Sequence, residues 1–261
     1  MSLDKVSLGG RSHRGHRGRT SDGTTVMVKT GGDAARLAYE FDILRALESV
    51  NVLAPSPIAL TRIGREPALV VSWIDGIPPT GAAAWRRLGA SLARLHSLPP
   101  TPTTRVQPNL RISELPDSVR SALGAATTTI LTTPMPGSDT VFSHGDAGPE
   151  NFLDHSDGGA LIDFESSCRQ PAGSDLGRCL FLIADTAPGE AHNAAVALLE
   201  GYGAGVLSPA DLFGWAAREG LRIADWRHRH AGRPNVPSWQ RATATAALCW
   251  SQTGRHEGPE C

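Results

Sequence analysis

The chain has 261 residues, of which 40% are hydrophobic and 20% are charged, and its formal net charge is -1. This is the composition of an ordinary globular protein, long enough to form a buried core in one large domain or in two lobes. The balanced charge argues against a strongly basic nucleic-acid-binding protein, and no run approaches the roughly 20 apolar residues that a membrane span needs.

The predicted elements of the first 75 residues describe a small α+β lobe. β-Branched runs predict short strands within residues 4–29. Apolar residues at helical spacing predict an amphipathic helix over 33–48, with Asp33 as its N-cap. Two proline-broken segments and the apolar run ALVVSWI follow. We therefore expect an N-terminal lobe over 1–75.

From residue 82 onward the pattern becomes mostly helical, so we expect a second lobe over 76–261. Residues 99–140 are rich in Pro, Thr and Ser and indicate at most one helix, near 112–125. The remaining helices are predicted from 82 to the prolines at 99 and 100, and over 174–186, 190–202, 208–230 and 237–252.

Between these helices, VFSHGDAGPENFL predicts a strand, a loop and a strand, and GALIDFE predicts a further strand. The loop contains His144-Gly145-Asp146, with Asn151 five residues beyond Asp146, and Asp163 follows at the end of the last apolar strand. An Asp and an Asn at this spacing can face one cavity, and a second Asp can reach the same metal ion. Phosphoryl transfer requires such a carboxylate beside the acceptor hydroxyl and such oxygen ligands for magnesium.

Phosphoryl transfer also needs a positive group on the nucleotide phosphates, and Lys29 is the candidate. It ends the apolar run VMVK in a chain with two lysines and 23 arginines. Glu40 follows eleven residues later, at the edge of the apolar face of the predicted helix. A lysine held by a helix-borne glutamate is known from kinase lobes. Upstream, the turn Gly9-Gly10-Arg11-Ser12 offers backbone N–H groups to phosphates.

Three further features of the sequence are interpreted as structural. We expect His144 to brace its loop through a ring hydrogen bond. Asp175 follows a Gly-Ser pair and is interpreted as an N-cap or a loop brace. The stretch from Arg11 to Arg19 has four arginines and two histidines but no aromatic residue, which favours a solvated face over a nucleic-acid-binding arm.

The segments HGDAGPEN and LIDFE resemble the catalytic loop and the metal-binding strand of the aminoglycoside phosphotransferase family, which includes choline and homoserine kinases. The resemblance covers most of the chain, from GGRSHRGHRGRTSDGTTVMVK through AYEFDILRAL and LVVSWIDG to PAGSDLGRCLFL. It implies an α+β, two-lobed, protein-kinase-like fold. The small N-lobe would hold an antiparallel sheet plus one helix, and the larger C-lobe would be mostly helical.

The same resemblance implies roles for the residues around the loop. Asp146 would be the catalytic base, and Asn151 and Asp163 would be ligands of Mg²⁺. Glu165, two residues after the metal aspartate, is left open between assisting the metal and meeting the substrate.

For the nucleotide, ATP or GTP, the resemblance implies a set of residues in the first lobe. Lys29 would hold the α- and β-phosphates and Glu40 would orient it. Ser12 would lie in the phosphate loop, and backbone groups of Ser72 and Ile74 would bind the adenine.

These observations lead to the hypothesis of a Mg²⁺-dependent phosphotransferase that moves the γ-phosphate of ATP or GTP to a hydroxyl of a small molecule. An antibiotic, a biosynthetic intermediate and an amino alcohol are all considered as acceptors, because the helical part has no acidic excess that would favour a polycationic aminoglycoside. The rival hypothesis is a non-catalytic nucleotide-binding regulatory protein on the same fold. A protein kinase fits less well because the loop is HGD instead of HRD and no APE-like segment follows.

The cysteines bear on the compartment and the partners. They lie far apart, without a CxxC pair, and so offer neither a zinc site nor a disulfide framework: Cys168, Cys179, Cys249 and Cys261. The first ten residues contain no apolar run of the kind found in secretory signals. We expect a cytoplasmic monomer or homodimer whose partner is a hydroxylated small molecule, with no nucleic-acid or membrane partner.

Overall fold

The computed structural model describes residues 2–8, 14–50, 52–99, 104–107, 110–111, 131–132, 134–137, 139–155, 158–203 and 207–231, with isolated positions from 113 to 121. Of the predicted helices, 237–252 lies outside this part of the chain, as do most positions of 112–125. No helix within the described ranges is long and apolar enough to cross a membrane.

The N-terminal part is a five-stranded antiparallel sheet with the strand order β1-β2-β3-β5-β4. Its strands are β1 (Ser2–Leu8), β2 (Arg14–Arg19), β3 (Thr25–Thr30), β4 (Pro57–Ile63) and β5 (Glu66–Ser72). Alternate residues of β3 and β5 point to opposite faces. Val26, Val28 and Val70 pack on one face, while Leu69 and Val71 join the main core on the other.

A single helix, α1 (Ala34–Leu47), covers the core face of this sheet. Asp33 is its N-cap, as predicted, and accepts a hydrogen bond of 2.9 Å from the N–H of Ala35. The helix buries Leu37 and Leu44 against the sheet, so its apolar stripe positions Glu40, on the same face, below β3.

The C-terminal part is mainly helical. Its helices are α2 (Gly81–His96), α3 (Ala172–Thr186), α4 (Ala191–Tyr202) and α5 (Pro209–Ala231). Helix α2 packs along α4, and α3 packs along α5. The helix predicted over 174–186 begins two residues earlier, because the preceding strand runs directly into it.

Short strands connect these helices and carry the loops of interest. A three-stranded sheet has the order β6-β10-β7, and a hairpin joins β8 to β9. The strands are β6 (Arg105–Val106), β7 (Thr140–Ser143), β8 (Phe152–His155), β9 (Gly158–Leu161) and β10 (Cys168–Pro171).

The prediction that GALIDFE forms one continuous strand is wrong. Strand β9 ends at Leu161, and Phe164–Ser166 form a 3₁₀ turn. The backbone of Asp163 has φ 67 and ψ 67, the left-handed conformation, which ends the extended chain at that residue.

The architecture is therefore α+β, as predicted, with an N-terminal antiparallel sheet plus one helix and a mainly helical C-terminal part. The linker of residues 73–80 joins the two parts. Backbone bonds between Ile77 and Asp154 attach this linker to β8, so the loop before β8 lies beside the crossing from one part to the other.

Candidate active site

The loop between β7 and β8 begins with a buried histidine. The ring of His144 has no solvent exposure, and its Nε2 lies 2.9 Å from the carbonyl oxygen of Ile162. The N–H of Asp146 donates to His144 Nδ1 at 3.3 Å, so Nε2 carries the proton that is donated to Ile162. His144 thus braces the loop against the segment before Asp163, which confirms its structural interpretation.

Asp175, in the first turn of α3, holds the same loop from the other side. Its carboxylate accepts from the N–H groups of His144 at 2.7 Å and Gly145 at 3.0 Å. It also contacts His96 Nε2 of α2 at 3.0 Å and Gln170 Nε2 at 3.1 Å. Burial alone would raise the pKa of Asp175, but the hydrogen bond and charge of His96, with further support from His144, lower it to about 2. The loop-brace interpretation of Asp175 is confirmed.

Gly145 is required by the close packing of this loop. Its φ is +78, and a Cβ at this position would overlap the carbonyl oxygen of Ser166 in the turn after Asp163. Only glycine allows the two segments to approach so closely.

Asp146 projects from the loop with its side chain 33% exposed. Asn151 donates from Nδ2 to the Asp146 carbonyl at 2.9 Å and to its Oδ2 at 3.3 Å. The structure therefore brings these two predicted residues together. Because the amide nitrogen of Asn151 faces Asp146, its side-chain oxygen is the atom that remains for a metal ion.

Arg178 of α3 also binds Asp146, through a hydrogen bond from Nη2 to Oδ1, and sequence reasoning missed it. The available signal was an arginine inside the apolar stretch DLGRCLFL, three residues after Asp175. Residues three apart lie on the same side of a helix, so a side chain at 178 faces the loop that Asp175 holds.

Asp163 lies beside this pair, in the segment between β9 and the 3₁₀ turn. It is the one non-glycine residue with a positive φ in the part of the chain that the structure describes. Such backbone strain is concentrated at functional sites, where the surrounding structure enforces it. The N–H of Ile162 donates to the carbonyl of Asn151 at 3.0 Å, so the residue before Asp163 lies opposite Asn151 across the hairpin.

Lys29 of β3 reaches this cluster from the sheet. Its Nζ lies 2.6 Å from Glu40 Oε1 and 2.8 Å from Asp163 Oδ1. Glu40 Oε1 also accepts from the N–H of Phe164 at 3.1 Å. Burial lowers the pKa of Lys29, but attraction to Glu40 and Asp163 outweighs it and the pKa is raised. The predicted Lys29–Glu40 ion pair is present, with Asp163 as a further partner.

The linker residues expected to meet adenine start directly after β5. The N–H of Ser72 already donates to the carbonyl of Ser56 at 2.9 Å, so Ser72 has only its carbonyl to offer to a base. The ring of Trp73 is covered by the guanidinium of Arg17 at 4.8 Å. Adenine binding by Ser72 and Ile74 remains a prediction, and Ser12 lies outside the described residues.

Glu165 lies in the 3₁₀ turn after Asp163 and is largely buried. One of its oxygens is 3.7 Å from Arg36 Nη1 of α1. The turn is thus linked by charge to the same helix that carries Glu40.

The donor set fits magnesium held together with a nucleotide. Among the described residues there is no group of three or more His, Cys, Asp or Glu side chains able to hold a metal alone. Mg²⁺ commonly uses only one or two carboxylates, with substrate phosphates and water completing its shell. One carboxylate, of Asp163, and one amide oxygen, of Asn151, make a donor set of that kind.

The model of the phosphotransferase enzyme family (APH) matches residues 8–221 of this chain. The match spans β2 to β5, the loop of Asp146, Asp163 and about the first half of α5. A search of curated proteins found no significant match.

Solved structures with the same fold include three small-molecule kinases. An amicoumacin kinase has a TM-score of 0.69 at 13% identity, over 97% of this chain and 89% of its own. The macrolide 2′-phosphotransferase of Brachybacterium faecium has a TM-score of 0.63 at 16% identity, over 100% of this chain and 93% of its own. The choline kinase of Streptococcus pneumoniae has a TM-score of 0.64 at 15% identity, over 95% of this chain and 94% of its own. These similarities confirm the two-lobed, protein-kinase-like fold.

Proposed function

This chain belongs to the phosphotransferase enzyme family, and from that premise we propose that it transfers the γ-phosphoryl group of ATP or GTP to a hydroxyl of a small molecule, with Mg²⁺. The observation that carries the proposal is the convergence of the Lys29–Glu40 pair, the strained Asp163 and the Asp146–Asn151 pair on one site. Each part matches one requirement of phosphoryl transfer.

Lys29 supplies the positive group for the nucleotide phosphates. Glu40 is buried and fixed by the N–H of Phe164, so it holds the ammonium in place at one position. Asn151 and Asp163 would hold the metal ion, which when bound neutralises charge on the transferring phosphates. The carbonyl of Ser72 and the N–H of Ile74 would receive the base at the linker.

Asp146 is placed to serve the acceptor. A hydroxyl that donates to its carboxylate would approach the γ-phosphorus in line with the leaving oxygen. The acceptor oxygen forms the new O–P bond, the bond from the γ-phosphorus to the bridging oxygen breaks, and the proton of the hydroxyl passes to Asp146. Positioning and charge neutralisation provide most of the rate enhancement.

The acceptor is proposed only by class. The names of the three structural relatives describe kinases of amicoumacin, macrolides and choline, which share little beyond small size. A hydroxylated antibiotic, an amino alcohol and a biosynthetic intermediate are therefore the classes to test.

The test is an ADP- or GDP-release assay with Mg²⁺ across aminoglycosides, macrolides, peptide antibiotics and amino alcohols. We expect nucleotide consumption that depends on one acceptor and is abolished in Asp146→Ala, with nucleotide binding retained. Turnover at the wild-type rate by Asp146→Ala would refute the mechanism. Nucleotide binding without turnover on the whole panel would favour the alternative of a non-catalytic regulatory protein. Against that alternative stands the presence of all four residues that the reaction would need: Lys29, Asp146, Asn151 and Asp163.

A further inference from the structure

The carboxylate of Asp146 is held at both oxygens. Oδ1 accepts from Arg178 Nη2 and Oδ2 accepts from Asn151 Nδ2. Arg178 lies on α3, whose first turn also provides Asp175, so one helix braces both the backbone of the loop and its reactive side chain.

Three carboxylates attract the Arg178 guanidinium electrostatically. Burial lowers the pKa of Arg178, but attraction to Asp146, Glu219 and Glu150 outweighs it and the pKa is raised. Glu219 comes from α5 and is almost fully buried; its burial raises its pKa, and Arg222 and Arg178 oppose that change. Arg178 is therefore a charged group in a largely buried site.

A purely structural arginine between α3 and α5 would pair closely with Glu219. Instead, Glu219 Oε1 lies 3.7 Å from Nε of Arg222 on its own helix, and neither Glu219 Oε1 nor Arg178 Nε, both buried, has a hydrogen-bond partner among the residues the structure describes. The guanidinium is directed to Asp146, and the pairing that would join the two helices is incomplete. Leaving such groups unsatisfied costs free energy, which indicates a role at Asp146.

We propose that Arg178 is a positioning residue that fixes the Asp146 carboxylate in the orientation from which it receives the acceptor proton. Asn151 alone leaves that carboxylate a single long hydrogen bond of 3.3 Å. The second bond, from a planar guanidinium held by helix α3, restricts rotation of the carboxylate. The proposal rests on the proposed function, because it assigns Arg178 to the same reaction.

The experiment compares Arg178→Gln and Arg178→Lys with Arg227→Gln. Arg227 is a matched control: it joins the same two helices through Asp185 at 3.6 Å and is 20% exposed, against 19% for Arg178. We expect Arg178→Gln to lower kcat about 10- to 100-fold, the effect of losing one hydrogen bond to a charged group. In Arg178→Gln the KM for nucleotide should stay within about 2-fold of the wild-type value. Arg227→Gln should match the wild type in both kcat and KM.

Arg178→Lys keeps the charge but loses the planar geometry, so we expect it to recover only part of kcat. If Arg178→Gln does not fold, Arg178→Lys carries the same comparison. The decisive measurement is made in an Asp146→Asn background, on residual turnover. There Arg178→Gln should change the rate by less than about 2-fold, because the proton-accepting carboxylate that Arg178 orients is already lost.

Wild-type kcat in Arg178→Gln would overturn the positioning role and leave the proposed function intact. An equal fall of kcat in the Asp146→Asn background would also overturn it, since the effect would then be structural. Failure of the wild type to consume nucleotide with any acceptor would instead refute the proposed function, and with it the role of Arg178.

Discussion

The Lys29 ammonium lies 2.8 Å from Oδ1 of Asp163, although the two residues are 134 positions apart in the sequence. This contact joins β3 of the N-terminal sheet to the segment after β9 in the C-terminal part. With Glu40 on its other side at 2.6 Å, Lys29 is shared between two carboxylates.

Loss of the Lys29 charge should destabilise the protein by about 3 kcal/mol, because Glu40 would remain buried without its partner. We expect Lys29→Met to show this loss in urea unfolding. The double variant Lys29→Met/Glu40→Leu should recover at least half of it, since the buried charge is then removed as well. A double variant that is less stable than Lys29→Met would contradict this account.

Asp163→Asn should raise the Mg²⁺ concentration needed for half-maximal turnover about 10-fold or more, because a charged oxygen ligand is replaced by a neutral one. The measurement is a Mg²⁺ titration of nucleotide consumption. Asp154→Asn is the control, because Asp154 lies in β8 and its carboxylate is bound by Arg87 of α2 at 2.6 Å. An unchanged Mg²⁺ requirement in Asp163→Asn would exclude Asp163 as a ligand.

Asp175 makes stability depend on pH in the acid range. Its folded-state pKa of about 2 lies below the ordinary 3.8, so its stabilisation is complete above about pH 4 and is lost as pH falls toward 2. This difference corresponds to about 2 kcal/mol.

We therefore expect the stability gap between wild type and Asp175→Asn, measured by urea unfolding, to be largest at neutral pH and to shrink by about 2 kcal/mol toward pH 2. Asp42→Asn, on the exposed side of α1, is the surface control for removal of a carboxylate. A gap that stays constant down to pH 2 would mean that the Asp175 carboxylate is not what stabilises the loop.

Gly145→Ala should destabilise the protein by about 3 kcal/mol or more, since the added Cβ overlaps Ser166 and the backbone is left-handed. Gly64→Ala separates the two effects: Gly64 has φ +62 but open space around the Cβ position, so only about 1 kcal/mol is expected. Thermal and urea unfolding of both variants test this, and equal losses would disprove the steric argument.

Much of the site could be predicted because its signals are local. Asp146 and Asn151 lie on one short loop, so their spacing alone brings them together. Lys29 is noticeable because the chain has two lysines. Helical periodicity predicts Glu40 at the edge of the apolar face of α1, where the structure shows it buried. The change from strand to helix patterns along the chain indicates a small α+β lobe followed by a mostly helical part, and the resemblance carried by HGDAGPEN and LIDFE implies the protein-kinase-like fold.

The parts that were missed depend on packing and strain. The local pattern places Arg178 on the same side of α3 as Asp175, but its contact with Asp146 depends on how α3 is oriented by its packing on α5 and by the bonds of Asp175 to the loop. The left-handed backbone of Asp163 opposes the β propensity of LIDFE, so a propensity-based prediction extends the strand too far.

The backbone bonds between Ile77 and Asp154, of 3.2 Å and 2.8 Å, fasten the linker to β8. Gly76 allows this contact, since a Cβ there would lie 2.8 Å from Cβ of Leu153. At its other end the linker is held by the sheet, where the N–H of Trp73 donates to the carbonyl of Thr25 at 3.4 Å. Only four positions in the chain therefore separate an anchor on β3, the strand of Lys29, from an anchor on β8, the strand that follows Asn151. The linker thus acts as a short tether that sets the distance between these two strands.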